Sequence, residues 1–271
     1  MAERRYPLNF IAFLGTAGAR FVMIRQLRSS GGIWLRYQGH QISLDPGPGA
    51  LVRALSARPP FDPRQLDTVI LTHRHLDHSG DLNVMIEAMT SGGRIKKGTV
   101  FLPEDAQGPE GIFLPYLRSY AAGVRTLRPG VFRSGKVRFR VPLRNAHPVQ
   151  TYGLIFEFGR QRVGYMSDTA CLPRLCDAYR GVDTLIMNTV FPRARAGAAH
   201  LSLDEAVELL ACIRPRRAVL THFGTPMLRA DPVRIERALR KKFPFPVYCA
   251  HDGMVLPMSP KKAKKDGKKG I

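Results

Sequence analysis

Acidic residues are scarce in this chain. Asp and Glu number 21 against 42 Lys and Arg in 271 residues, a formal net charge of +21. The segment from Lys261 to Ile271 holds six lysines and one aspartate, so it carries +5 and leaves +16 on the rest. A field of this sign attracts polyanions and anionic substrates, but it speaks to association and not to site chemistry. Cysteine is also sparse: Cys171, Cys176, Cys212 and Cys249 form no CxxC pair. That spacing argues against a disulfide framework at this length and favours reduced, mostly buried thiols in a cytoplasmic protein. No apolar run approaches the length of a membrane span. The start of the chain, Arg4-Arg5 followed by Leu8 to Leu14 and Ala17-Gly18-Ala19, superficially imitates a secretion signal. Asn9 interrupts its apolar part, and a first β-strand is the better reading. With 44% hydrophobic residues, one domain of two packed sheets with flanking helices is expected over residues 1–257, followed by a disordered lysine-rich tail over 258–271.

What the chain does have is a dense cluster of metal-binding residue types. Leu71-Thr72-His73-Arg74-His75-Leu76-Asp77-His78-Ser79-Gly80-Asp81 follows the apolar run Thr68 to Leu71, which reads as a buried strand. Residues i and i+2 of an extended segment point the same way, so His73 and His75 can grip one ion together. The turn that follows swings Asp77 and His78 to the other side, toward a second ion. Imidazole and carboxylate together suit zinc, iron or manganese better than calcium or magnesium.

Further along, His147, Asp168 and His222 each follow a predicted strand: Val137 to Leu143, Arg162 to Met166 and Arg217 to Leu220. Sites form at such carboxyl ends of parallel strands. Ile33 to Tyr37 and Gln41 to Leu44 read as a hairpin around Gln38-Gly39-His40, and Asp45-Pro46-Gly47-Pro48-Gly49 as a rigid turn before a helix starting near Leu51. Leu82 to Met89 reads as a helix. Ser202-Leu203-Asp204-Glu205 is a capping box that starts a helix running to about Ile213. Asp231-Pro232 caps the last helix, and Tyr248 to Ala250 with Met254 to Leu256 read as a closing hairpin around Asp252-Gly253. Phe113 to Ala122 is expected to be helical. It could bring Tyr116, Arg118 and Tyr120 to the mouth of the site, although plain packing is the stronger reading of these three.

The run His73-x-His75-x-Asp77-His78, followed in order by His147, Asp168 and His222, resembles the five motifs of the metallo-β-lactamase superfamily over nearly the whole chain. The resemblance implies an αββα sandwich, two mixed β-sheets flanked by helices, with two divalent metal ions at one edge. Zinc leads, with manganese or iron as alternatives. By the same resemblance His73, His75 and His147 hold the first ion, Asp77, His78 and His222 the second, and Asp168 bridges both. Asp45 braces the metal loop without ligating. An aspartate at 168, where the lactamases proper have cysteine, suits a phosphodiesterase acting through a metal-bridging hydroxide.

Ala199-His200-Leu201-Ser202 with Leu220-Thr221-His222-Phe223 resembles the tRNase Z and phosphodiesterase branch, in which an extra histidine assists the leaving oxygen. His200 is thereby a catalytic candidate beside Asp77. Met166-Ser167-Asp168-Thr169-Ala170-Cys171 and Phe191-Pro192-Arg193-Ala194 also resemble the cyclic phosphodiesterase of bacterial phosphonate breakdown. The implied partner is a phosphodiester such as RNA or a cyclic nucleotide, with no membrane involved, and a homodimer is allowed. The stretch between His147 and Asp168 leaves no room for the long arm of tRNase Z, and the cysteines of a second, structural zinc site are missing. Hydrolysis of a carboxyl ester, thioester or lactone, as in glyoxalase II relatives, is the competing expectation.

Overall fold

The computed structural model describes residues 6–258. Two seven-stranded sheets face each other. The first runs, in spatial order, β14 (Val255–Pro257), β1 (Phe10–Phe13), β2 (Ile33–Tyr37), β3 (His40–Leu44), β4 (Thr68–Ile70), β5 (Lys97–Leu102) and β6 (Ala121–Thr126). The second runs β13 (Val247–Cys249), β12 (Arg217–Thr221), β11 (Thr184–Asn188), β10 (Gln161–Met166), β9 (Leu154–Phe158), β8 (Val137–Val141) and β7 (Gly130–Ser134). Both sheets are mixed. β3 to β6 are parallel in the first, and β10 to β13 in the second, while the remaining neighbours are antiparallel.

Among the described residues nine α-helices connect the strands: α1 (Ala19–Ile24), α2 (Ala50–Ser56), α3 (Leu76–Ser79), α4 (Leu82–Met89), α5 (Leu117–Tyr120), α6 (Leu175–Ala178), α7 (Leu203–Ile213), α8 (Thr225–Arg229) and α9 (Pro232–Lys242). Three apolar clusters make the sandwich. Ile11, Phe13, Ile42 and Phe101 of the first sheet meet Phe139, Phe156, Tyr165 and Val219 of the second. Trp34 and Val69 pack outward under Leu82, Met85 and Met89 of α4. Leu185 and Leu220 pack outward under Leu209 and Leu210 of α7. The inner strands β4, β11 and β12 are buried along nearly their whole length because they are covered on both faces. The methionines of α4 are therefore core, as their spacing suggests. Ser202 closes the expected capping box with Glu205 at the start of α7, and Asp231 caps α9 through Val233 N and Arg234 N.

Three expectations are corrected. Tyr248 to Ala250 and Met254 to Leu256 do not pair as a hairpin: β13 extends the second sheet beside β12, and β14 joins the first beside β1. Asp252, between them, accepts hydrogen bonds from Thr16 N, Thr16 Oγ1 and Ser29 N, which pulls the chain across the gap between the sheets. The helix expected over Phe113 to Ala122 shortens to α5, and Ala121 onward becomes edge strand β6. Cys176 of α6 and Cys212 of α7 form a disulfide with Cα atoms 6.0 Å apart, while Cys171 and Cys249 are free. Thirty-six residues separate the bonded pair, so only the packing of α6 on α7 reveals it. The stretch expected as a first strand forms β1, buried and placed between β14 and β2 in the first sheet. Met258 is buried and donates its N–H to Asn9 O, so the packed domain reaches that residue; the expected tail from 259 onward lies outside the described residues.

Candidate metal centre

Every expected ligand stands where a strand ends. β4 delivers His73, β10 delivers Asp168 and β12 delivers His222, while the segment after β8 carries His147. His75 begins the short α3, whose single turn carries Asp77 and His78. Two glycines let the loops close around them. A Cβ at Gly47 would collide with the carbonyls of Ser30 and Asp77, and one at Gly18 with the carbonyl of His222. His222 itself sits at φ 62°, a left-handed conformation that costs a non-glycine residue energy and is held by its surroundings.

The ligand atoms fall into overlapping groups, each within 4.8 Å: His73, His75, His147 and Asp168; Asp77, His78 and His222; and Asp168, His200 and His222. The loop thus splits as its spacing suggests, His73 and His75 to one side, Asp77 and His78 to the other. Asp168 lies between, its Oδ2 at 3.6 Å from His73 Nε2 and 3.5 Å from His78 Nε2, its Oδ1 at 3.4 Å from His222 Nδ1.

Neighbouring groups fix which ring nitrogen faces inward. Asp45 accepts only, so the Thr72 hydroxyl must donate to its Oδ2 at 2.7 Å. Thr72 Oγ1 is then left to accept from His73 Nδ1 at 3.2 Å. His78 Nδ1 donates to Asp45 Oδ2 at 3.0 Å, and His147 Nδ1 to the Ala199 carbonyl at 2.9 Å. Each of these rings is left with an Nε2 lone pair turned into the cluster. His78 Nε2 and His222 Nε2 face each other at 2.8 Å, His147 Nε2 and His75 Nδ1 at 3.1 Å. His73 Nε2, His200 Nδ1 and His222 Nδ1 are buried without a hydrogen-bond partner. Buried polar atoms are rarely left so. Converging lone pairs on imidazole and carboxylate, with nothing in the protein to satisfy them, fit divalent transition metals.

The electrostatics show a concentration of negative charge that favours a bound cation: at His78 burial is outweighed by Asp77, Asp168 and Asp45, which raise the imidazole well above its ordinary value in the metal-free protein. Burial would push Asp168 toward neutrality, but the imidazoles of His222, His78 and His200 outweigh it and hold the carboxyl well below its ordinary range. Asp77 is held down in the same way, burial being overcome by His78 and His222. Burial keeps His73, His75, His147 and His200 below the ordinary histidine value, hence neutral and able to ligate.

Two supporting residues escaped the reading of the sequence. Asn188 Nδ2 donates to Asp168 Oδ1 at 2.8 Å and to Tyr165 Oη at 3.2 Å, and Tyr165 Oη donates to Asp45 Oδ2 at 2.9 Å. Asn188 closes β11, at the same edge as the ligands; the rule that found His222 could have found it. Asp45 thus anchors Thr72 N, Thr72 Oγ1, His78 and Tyr165 at once. Replacing it with Ala should weaken metal binding about 10- to 100-fold, the usual effect of losing such a partner. Competition with a chelator measures this, and unchanged affinity would deny Asp45 the role. Tyr116, Arg118 and Tyr120 make contacts among themselves and their neighbours: Tyr116 Oη donates to Glu87 at 2.7 Å, Tyr120 sits edge-on to Tyr116, and the Arg118 guanidinium lies over Phe113. Among the described residues no helix is long and apolar enough to cross a membrane.

Residues 40–223 match the beta-lactamase superfamily domain. The chain belongs to this superfamily, and the αββα sandwich and edge cluster identify it as a hydrolase of the metallo-β-lactamase fold. It is similar to an uncharacterized protein of Methanocaldococcus jannaschii, 29% identical over 228 residues, which are 80% of this chain and 84% of the relative. A shorter stretch of 93 residues, 34% of this chain and 29% of the relative, is 32% identical to ribonuclease Z of Archaeoglobus fulgidus. Among solved structures, the metallo-beta-lactamase fold protein YhfI of Bacillus subtilis superposes with a TM-score of 0.76 at 20% identity, over 92% of this chain and 98% of that one. The short form of human tRNase Z superposes with a TM-score of 0.70 at 16% identity, over 93% of this chain and all (100%) of that one.

Proposed function

We propose that this hydrolase is a phosphodiesterase working with two divalent metal ions, zinc first among them. His73, His75 and His147 would hold one ion, Asp77, His78 and His222 the other, with Asp168 shared. The observation that carries the reading is the pairing of an aspartate at 168 with His200. The His200 Nδ1 lies 3.4 Å from Asp168 Oδ2 and has no hydrogen-bond partner of its own. In phosphodiester hydrolysis negative charge gathers on the non-bridging and leaving oxygens together, where an additional imidazole N–H beside the carboxylate can stabilise it.

Ions held there supply Lewis acidity, which activates water and neutralises charge on phosphoryl oxygens. The protein's own part is orientation and proton handling. Asp45, Thr72 and the Ala199 carbonyl keep His78, His73 and His147 in the tautomers that direct Nε2 inward. Asn188 holds the Asp168 carboxylate in its shared position. His200, three-quarters covered and below the ordinary histidine value because of burial, flanks the cluster edge-on to His147. From there a ring N–H can donate a hydrogen bond to the departing oxygen as negative charge gathers on it. The local likeness to ribonuclease Z of Archaeoglobus fulgidus supports a phosphodiester as the bond broken.

Turnover should be measured on bis(p-nitrophenyl) phosphate, a 2′,3′-cyclic nucleotide, a precursor tRNA and a thioester. We expect hydrolysis of at least one phosphodiester and little of the thioester. Thioester hydrolysis without phosphodiester hydrolysis would replace this reading with the acyl one.

A further inference from the structure

The outer face of the second sheet is covered by helices over its parallel half but carries arginines over its antiparallel half. Alternation along β7 and β8 turns Phe132, Val137 and Phe139 inward and Arg133 and Arg138 outward. The strand registers then place these residues in one row. Arg133 lies opposite Arg138, Arg138 opposite Glu157, and Glu157 opposite Arg162. Arg160 sits at the exposed tip of the β9–β10 hairpin. A groove of about 540 Å³ opens here, lined by Arg138, Glu157, Gly159, Arg160, Arg162 and Gly181.

The acids nearby do not balance the row. Glu157 is held by Arg138 at 2.9 Å. Asp183 accepts the backbone N–H of Arg162 and lies 3.9 Å from the Arg216 side chain, and Asp177 is held by Arg180 at 2.7 Å. Glu157 offsets only Arg138, so Arg133 opposite it across β7 and β8, with Arg160 and Arg162 in the groove, leaves a net positive row that an anion would neutralise. Four strands side by side span ~14 Å, long enough for several consecutive phosphates. Guanidinium groups bind phosphate in a bidentate fork. The groove is lined by charged side chains and glycines alone, with no apolar side chain to enter a bilayer, which separates it from a lipid-binding surface.

We propose that this face is a binding site for the phosphate backbone of RNA, apart from the metal centre. Arg162 and Asp168 lie six positions apart on and after β10, on the order of 20 Å of strand. A stacked strand rising ~3.4 Å per nucleotide covers that distance in about six nucleotides. The identity of the substrate as RNA rests on the phosphodiesterase reading above; the binding itself does not.

The test is equilibrium binding of a fluorescein-labelled 20-nucleotide RNA to the full chain across a salt series, with RNA integrity checked on a gel. The variant combines Arg133→Ser, Arg138→Ser, Arg160→Ser and Arg162→Ser, beside a matched set of four Arg→Lys changes. Each lost phosphate contact removes ~0.7 from the slope of log K against log salt on a single strand, so the serine variant should lose up to about 3. Its affinity at 100 mM salt should fall at least about tenfold, the lysine set should retain most of the binding, and turnover of bis(p-nitrophenyl) phosphate should be unchanged. An unchanged slope and affinity would overturn the proposal. So would loss of binding to phosphatidylglycerol vesicles with RNA binding intact, which would make the face a lipid site. If the fourfold variant does not fold, Arg160→Ser alone decides: a slope lower by about 0.7 supports the site and an unchanged slope overturns it. A wild-type protein inert toward small diesters that still binds RNA through these arginines would sink the phosphodiesterase reading and leave this site standing.

Discussion

Asp168→Ala should leave a protein that retains neither ion in an ordered position and has no measurable phosphodiesterase activity. The carboxylate is buried, and its two oxygens lie within 3.6 Å of nitrogens from His73, His78, His200 and His222. Like His222, it belongs to two of the three ligand sets, and it is the only carboxylate that does. Removing it deletes the charge that balances those imidazoles and frees Asn188 Nδ2 from its 2.8 Å hydrogen bond. Breaking one partner of a buried charged network typically costs ~3–5 kcal/mol, because the remaining groups are left uncompensated. A lowered melting temperature is therefore expected along with the loss of metal. Elemental analysis after desalting checks the metal content. A variant that kept two ions and wild-type turnover would show that Asp168 is not shared.

His200→Ala should separate chemistry from metal binding. In phosphodiester hydrolysis charge gathers on the non-bridging and leaving oxygens, and a positioned donor there is worth ~3–4 kcal/mol, about a hundred- to a thousandfold in rate. His200 stands beside Asp168 without being needed for either of the other two ligand sets. We expect full metal occupancy, a near-normal melting temperature and a kcat on bis(p-nitrophenyl) phosphate lower by at least about a hundredfold. A rise in KM alone would make His200 a binding residue. Undiminished kcat would remove it from the mechanism and bring the acyl-ester reading forward.

Much of this centre is legible in the sequence because its residues obey one rule: each sits just past an apolar strand, where a parallel sheet opens its loops. His73, Asp168 and His222 follow from that rule, and the period of an extended segment separates His73 and His75 from Asp77 and His78. Asn188 obeys the same rule, but asparagine at a strand end is too ordinary to stand out. Tyr165 precedes the strand end and reads as core, since its hydroxyl needs Asp45 and Asn188, far apart in sequence, to acquire a purpose.

Local pattern fails where tertiary contacts decide. The stretch Val247 to Pro257 has the composition of a hairpin, yet Asp252 is fixed by Thr16 and Ser29, and its two flanks are drawn into different sheets. β6 and β7 carry glycine and arginine rather than a clean apolar alternation, as edge strands can. α1 is too short to show a period. The arginine row across β7 to β10 exists only in the strand registers; in the sequence those residues are part of an unremarkable basic excess.

The central claim, that two ions act together in this site, is tested most directly by restoring zinc to the metal-free protein while following hydrolysis of bis(p-nitrophenyl) phosphate. Activity should rise with a lag or upward curvature and level off at two equivalents of zinc per chain, because both ligand sets sharing Asp168 must be filled. Full activity at one equivalent, with no further change at the second, would contradict the account.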